Sequence, residues 1–343
     1  SNSSELPDLT EEYCIEHGVL LATSLYYRLT QTFSLIISTL SSSYTVYFLC
    51  RYFSKIPFFH RNLRTLFFSL TICCLFYSIV NIISKVSLHC FQGCHLALSF
   101  LYTRPCQIFL PKILYACMTV SYFFAYNISQ FMMTSIVIER WIAFIFIRKY
   151  ESGYTKLGPT LIALAIFISS LFVFILFNGQ NFDGWHVNGR MLPSTTYIKT
   201  NIVLFSMLGS NIICLMLTIT LHLLTPKRRI RMSLSSKFQR RENLIASKLF
   251  FYIATLQMTA FCCLQCATLY MRIYHSKDPM SIAYKESVDF FILYTLAMPV
   301  LSTLYFAKVK RQRIKDIRNH LDMKTIGSDG WTNYLTVIQK QWK

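Results

Sequence analysis

Residues Ser135 to Glu151 read SIVIERWIAFIFIRKYE, an apolar run that meets a carboxylate beside a guanidinium and then turns basic. Upstream, the 26 residues between Lys112 and Glu139 carry no formal charge. At about 1.5 Å per helical residue, such a run crosses a hydrocarbon layer of roughly 30 Å with some tilt. The stretch therefore reads as a spanning helix that ends at Glu139-Arg140. An unpaired charge at that depth is costly, so the neighbouring carboxylate lets Arg140 stay ionised, and the pair is free to open if the helix end rearranges. This makes Glu139-Arg140 a candidate switch. The competing reading is a plain interfacial anchor, since Arg snorkels at helix ends.

The composition agrees with a membrane setting. Of 343 residues, 54% are hydrophobic, 16% aromatic and only 14% charged, where soluble domains carry roughly 25% charge. A net charge of +19 would by itself point to nucleic acid. Here the basic residues sit between apolar runs, on alternate sides, so membrane lipid is the expected partner and nucleic acid is not.

Charge-free runs lie at Leu29–Cys50, Thr65–Ser84, Ile113–Ile138, Leu157–Phe182, Thr200–Pro226, Leu249–Met271 and Phe290–Ala307. Each is near the length of a spanning helix. The fold class is therefore an all-α membrane protein, a seven-transmembrane helix bundle. An eighth run, Val86–Thr103, is broken by His89, Cys90, Gln92, Gly93, Cys94 and His95 and reads as a loop. The first run is the least apolar, with nine Ser or Thr from Thr30 to Thr45. A bundle-facing helix hides such hydroxyls in bonds to its neighbours.

Basic connections stay on the cytoplasmic side. One set of connections with the tail holds 25 Lys and Arg, the other set 9. The amino terminus is accordingly expected outside and the tail inside: 1–28 an extracellular segment, 29–307 the membrane domain, 308–343 a cytoplasmic helix and tail. The start is acidic, with Glu5, Asp8, Glu11, Glu12 and Glu16, and lacks the positive region of a cleavable signal peptide. Asn2-Ser3-Ser4 fits a glycosylation sequon, credible if this end is outside.

Of twelve cysteines, Cys14, Cys90, Cys94 and Cys106 fall on the expected outer side, where thiols oxidise. Three complete pairings are open to them. Cys94 with Cys106 is favoured, because it would tie the loop to the top of the third helix. His89-Cys90 and Cys94-His95 resemble half-sites for zinc, but an oxidising compartment favours disulfides, and no metal is expected. The cysteines inside apolar runs read as packing residues.

The connection PKRRIRMSLSSKFQRREN, Pro226 to Asn243, is strongly basic and would hold the chain against anionic lipid or form helix ends that meet a partner through Arg228, Arg229, Arg231, Arg240 and Arg241. Pro299 removes a hydrogen bond inside the seventh run and is a candidate hinge, a static kink being the alternative. Beyond it, Lys308 to Leu321 carries Ile314, Ile317 and Leu321 on one face and six Lys or Arg up to Arg318, the pattern of a short amphipathic helix on a membrane surface.

Stepping back from Arg140 at helical spacing reaches Met133, Gln130, Tyr126, Tyr122, Thr119 and Tyr115, one face of the third helix. Tyr115, Thr119, Tyr122 and Tyr126 combine ring surface with hydroxyls and are candidate ligand contacts, with Gln257, Gln265 and Tyr294 contributing from the sixth and seventh helices. Only Lys85, Lys112 and Asp289 lie near the outer ends, so a neutral or weakly polar small molecule is expected. The alternative is that these tyrosines pack helices together.

With SIVIERWIAFIFIRKYE, the segments FHRNLR at Phe59–Arg64, LSSKFQRREN at Leu234–Asn243 and GSDGWTNYL at Gly327–Leu335 resemble the nematode serpentine chemoreceptors of the alpha/beta class, within the Sra, Srb and Sre group. The resemblance runs over nearly the whole chain. It implies a G-protein-coupled receptor of chemosensory neurons, in the ciliary plasma membrane, with a heterotrimeric G protein as partner at Glu139-Arg140 and the basic residues. Glu139-Arg140-Trp141 matches the acidic-Arg-aromatic triplet of rhodopsin-like receptors. Pro299 and Tyr305 match their seventh-helix motif loosely, without the preceding Asn. The sixth run has no Pro, and Asn178–Thr200 holds no Cys for the usual second-loop disulfide.

Other classes fare worse. A retinal protein needs a Lys in the seventh run, which has none. A ligand-gated channel or carrier of the same topology is the runner-up, but no internal repeat or buried charged relay is visible. No phosphate loop or catalytic triad pattern supports an enzyme, and no cofactor is expected.

Overall fold

The computed structural model describes residues 11–52, 59–86, 106, 109–146, 150, 156–180, 182, 189, 197–227, 234–274, 280–321, 331–332, 334–336 and 339. Among the described residues, seven helices are long and apolar enough to cross a membrane. They are α1 Leu25–Tyr52, α2 Arg61–Val86, α3 Lys112–Ile145, α4 Leu157–Phe177, α5 Tyr197–Lys227, α6 Leu234–Tyr274 and α7 Phe291–Leu321. The described residues include no strand.

Most helices outrun their charge-free cores, because a helix does not stop where lipid does. The exception is α4, expected to reach Phe182, which ends at Phe177. Asn178 and Gln180 turn back through N–H bonds to the carbonyls of Phe174 and Phe177, and Gly179 follows Asn178 at φ 76°. A left-handed residue just past a helix end is the position that glycine fills without strain.

The chain falls into two units, Ser1–Pro299 and Val300–Lys343. In the first, α3 is the axis, packed on α2, α4, α5 and α6, while α1 lies on α2 and α5 on α6. The pattern on α1 is inverted relative to a soluble helix. Gln31, Ser34, Ser38, Ser41 and Thr45 are buried, while Leu29, Phe33, Ile36 and Leu40 are each more than half exposed. Lipid is as apolar as leucine, so a spanning helix gains by turning hydroxyls inward and leaving its large apolar residues out. The hydroxyl-rich first run is explained in this way.

Where α2 meets α4, Gly158 lies so close to Asn62 that a Cβ would come within 3.1 Å of the Asn62 Cα and carbonyl oxygen. A small residue is what such backbone approach requires.

The amino-terminal segment is helical, running through Glu11–Cys14, a π turn at Ile15–Val19 and Leu20–Thr23. Cys14 and Leu21 are buried with Tyr27, Phe109 and Ala283 in one apolar cluster. Cys14 is joined to Cys106 by a disulfide with Cα atoms 5.1 Å apart. This corrects the expected pairing of Cys94 with Cys106; Cys94 lies outside the described residues. The pairing was hidden from sequence because it depends on how the amino-terminal segment folds onto the start of α3. A short helix, Ser281–Ser287, precedes α7.

The second unit carries the rest of α7, which extends to Leu321 with Pro299 inside the helix. Lys308 to Leu321 thus continues α7 and is not set apart as a short helix. No Gly or Pro occurs between Ala307 and Leu321 to break it. Of the segment's apolar face, Ile314 is 48% exposed.

Candidate functional site

The predicted stripe on α3 faces inward throughout. Tyr115, Thr119, Tyr122, Tyr126, Gln130, Met133 and Arg140 are all buried. The stripe passes through three environments.

At the amino-terminal end of α3, the Thr119 hydroxyl lies 2.8 Å from both the Tyr115 and the Gly189 carbonyl oxygens. A Cβ on Gly189 would come within 2.7 Å of Met118 Cβ, so the chain at Gly189 passes directly over α3. The Tyr115 ring meets Phe182 edge-on. Nearby charged groups are bonded within the fold. Lys85 Nζ lies 3.1 Å from Glu286 Oε2 in a pair almost fully shielded from solvent, and Gln31 Nε2 donates to the same oxygen. Asp289 accepts from the Tyr77 hydroxyl at 2.8 Å and caps the Phe291 N–H at 3.2 Å.

At mid-depth, the Tyr122 hydroxyl donates to Asn81 Oδ1 at 2.6 Å and lies 2.5 Å from Ser84 Oγ. Asn81 Nδ2 in turn donates to Ser34 and Ser38, which links α1, α2 and α3. Tyr126 differs. Its ring packs against Phe261 at 4.4 Å and Phe291 at 5.4 Å, and its buried hydroxyl approaches Gln265 without reaching normal hydrogen-bond geometry. Gln265 lies beside it, with Nε2 donating to the Leu204 carbonyl at 2.9 Å and Oε1 left unpaired. One turn along α3, Gln130 Oε1 accepts from Gln257 Nε2, and Gln257 Oε1 accepts from the Tyr294 hydroxyl, both at 3.0 Å. The predicted Tyr126, Gln257, Gln265 and Tyr294 thus meet where α3, α6 and α7 converge, and Tyr115 and Thr119 stand apart nearer the helix start.

Sequence reasoning missed Tyr77, Asn81, Phe261 and Phe291. Tyr77 packs edge-on to Phe291 at 4.6 Å and lies 5.8 Å from the Tyr122 ring. An Asn within the apolar run of α2 was the one available signal, because a buried amide needs partners. The phenylalanines carry no such mark.

At the carboxyl-terminal end of α3, Glu139 and Arg140 form a bidentate pair, Nε to Oε2 at 2.5 Å and Nη2 to Oε1 at 2.6 Å. Glu139 is fully buried and Arg140 only 5% exposed. The Tyr150 hydroxyl donates to Glu139 Oε1, and Asn62 Nδ2 at the start of α2 donates to the Tyr150 hydroxyl at 3.4 Å. Burial, and then the Glu139 charge, raise the Tyr150 hydroxyl well above its ordinary pKa, so it is a protonated donor at neutral pH. The His60 ring lies 4.7 Å from that of Tyr150. One residue on, Trp141 Nε1 donates to the Leu217 carbonyl of α5 at 3.2 Å. Tyr150 was the last residue but one of the opening stretch, yet nothing in its spacing showed that it folds back.

Arg228, Arg229, Arg231, Cys94 and Asn2 lie outside the described residues, and so do the side chains of Arg240 and Arg241 on α6. Pro299 ends the first unit and Tyr305 belongs to the second. Among the described residues no group of three or more His, Cys, Asp or Glu could hold a metal.

Comparison with known proteins gives a consistent result. The profile of the serpentine type seven-transmembrane G-protein-coupled receptor class ab chemoreceptors matches residues 16–343. Serpentine receptor class beta-17 of Caenorhabditis elegans is 24% identical over 98% of this chain and 92% of its own length. Serpentine receptor class beta-3 of the same organism is 27% identical over 97% of each chain, and class beta-13 is 24% identical over 95% of this chain and 94% of its own.

Proposed function

The chain belongs to the class ab family of serpentine seven-transmembrane chemoreceptors, and from that premise we propose that it detects a small neutral molecule within the bundle and signals through a heterotrimeric G protein. Membership makes it a multi-pass membrane receptor of chemosensory type. The 25 to 9 division of Lys and Arg supports an extracellular amino terminus, with the carboxyl-terminal end of α3 in the cytoplasm; a sensory cilium is the location that family membership suggests.

The observation that carries the coupling reading is the buried Glu139-Arg140 pair with Tyr150 closed upon it. A charge pair shielded from solvent stays closed while its partners are in place, and it exposes a guanidinium for a partner when the surrounding helix ends separate. The basic residues Arg228, Arg229, Arg231, Arg240 and Arg241 would frame the same face, and Pro299 with Tyr305 would serve as the hinge in α7.

The neutral-ligand reading rests on charge. Lys85 is held by Glu286, and Asp289 by Tyr77. Around Tyr126, Phe261, Phe291 and Gln265 the surfaces are aromatic and amide; an anionic ligand there would lack a counter-ion, and the nearby carboxylate of Asp289 is already engaged by Tyr77 and the Phe291 N–H.

The test is a heterologous cell with a second-messenger readout, exposed to a panel of small volatile and water-soluble molecules. Wild-type receptor should respond to some of them, and the Arg140→Ala variant, present at the surface in equal amount, should not. A ligand-gated current that persists in membranes without G proteins would overturn the receptor reading in favour of a channel.

A further inference from the structure

We propose that the basic face of α7 beyond its apolar run is a binding site for a polyanionic phospholipid, one with phosphates on its headgroup. In the carboxyl-terminal unit, Leu304, Ala307, Lys308, Arg311, Gln312 and Lys315 lie together on an open surface of α7. They recur at intervals of three and four and so share one helical face.

Their order along that face selects the ligand. The end next to the spanning run offers Leu304, 61% exposed, and Ala307. The next two turns offer three exposed cations, Lys308, Arg311 and Lys315, none of them in an ion pair among the described residues. The adjacent acid, Asp316, accepts from Gln312 Nε2 at 3.0 Å. A planar guanidinium takes two phosphate oxygens at once, and the flanking ammonium groups supply charge without fixed geometry. A soluble phosphate would use the cations alone. The apolar end of this face matches a ligand that also brings glycerol and acyl carbon, and basic segments beside a last spanning helix are where anionic lipid gathers.

The test uses the full chain in nanodiscs of phosphatidylcholine, with a phosphatidylinositol bisphosphate added as the minor lipid and its retention measured by native mass spectrometry. Two double variants remove equal charge. Arg311→Gln with Lys315→Gln removes two cations from this face, whereas Lys310→Gln with Arg313→Gln changes residues off that face. The first should lower retention by roughly tenfold or more, from the contribution of each basic residue near an anionic surface, and the second should leave it near wild type. Arg311→Lys with Lys315→Arg keeps the charge and should keep binding, which separates loss of the site from loss of fold. Equal weakening in both charge-removing variants would mean diffuse electrostatics and overturn the proposal. Competition by a soluble inositol phosphate as strong as that by the lipid would overturn it also. Neither result depends on whether the receptor signals.

Discussion

Tyr150 and Glu139 are eleven residues apart, yet the Tyr150 hydroxyl donates to Glu139 Oε1, the same oxygen that receives Arg140 Nη2. Tyr150, beyond the end of α3, thereby closes over the charge pair. A neutral donor on the carboxylate stabilises its ionised form and fixes its orientation toward the guanidinium.

A graded series of signalling phenotypes is expected from this arrangement. Tyr150→Phe removes one hydrogen bond to a charged group, worth about 1.5–3 kcal/mol, and should raise ligand-free signalling by roughly tenfold if that energy belongs to the closed state alone. Glu139→Gln removes the charge as well and should raise it further. Arg140→Ala should abolish signalling at normal surface level. Second-messenger assays normalised to surface labelling check all three, and a Tyr150→Phe receptor with wild-type basal activity would show that Tyr150 is only a packing residue.

The disulfide makes a different demand. Cys14 and Cys106 are 92 residues apart, and loss of a native bridge typically costs 2–5 kcal/mol. Cys14→Ser and Cys106→Ser should each reduce the amount reaching the surface, and the double variant should be no worse than either alone, because both remove one bond. Mass mapping of unreduced receptor should find the Cys14 and Cys106 peptides linked; a free thiol at either position in folded protein would refute the pairing.

Long-range pairings of this kind mark where sequence reading stops. Length and charge placed seven helices, since a bilayer fixes a minimum apolar length, and helical spacing put Tyr115 through Arg140 on one buried face. Periodicity describes one helix at a time. It gives no register between α3 and α6, so it could name Gln130 and Gln257 without showing that one amide bonds the other. Nor could it find Phe261 or Phe291, because an aromatic residue in an apolar run looks the same whether it faces lipid or a neighbouring helix. The Glu139-Arg140 pair was legible because its partners are adjacent in sequence, whereas Tyr150 and Cys14 reach theirs through folded connections.

Close helix approach gives a prediction on stability. Adding even one carbon to Gly158 places it 3.1 Å from the Asn62 backbone, and Asn62 is the residue that donates to Tyr150. Overpacking commonly costs 1–3 kcal/mol. Gly158→Leu should therefore lower the melting temperature of purified receptor and also raise basal signalling, by displacing Asn62. A melting temperature and basal activity both equal to wild type would show that α2 and α4 have room to separate.

The two central tyrosines should separate architecture from ligand recognition. Tyr122 is committed to Asn81 and Ser84, so Tyr122→Phe removes a buried hydrogen bond to Asn81 Oδ1, a loss of about 0.5–1.5 kcal/mol. Its effect should be read first as reduced surface level and lower thermal stability. The Tyr126 hydroxyl makes no hydrogen bond of normal geometry, only an approach to Gln265. Tyr126→Phe should leave expression and stability near wild type, or improve them slightly, since it removes a buried unpaired polar group. Any change in agonist potency in that variant then reports on the ligand and not on the fold. A ligand that bonds this hydroxyl should lose potency by about tenfold in Tyr126→Phe, the equivalent of one hydrogen bond. Gln265→Leu, which removes the neighbouring Oε1 acceptor, should shift potency in the same direction only for ligands that carry a donor. Unchanged potency in both variants, with stability intact, would move the ligand away from the junction of α3, α6 and α7 and toward Tyr115 and Thr119 at the start of α3.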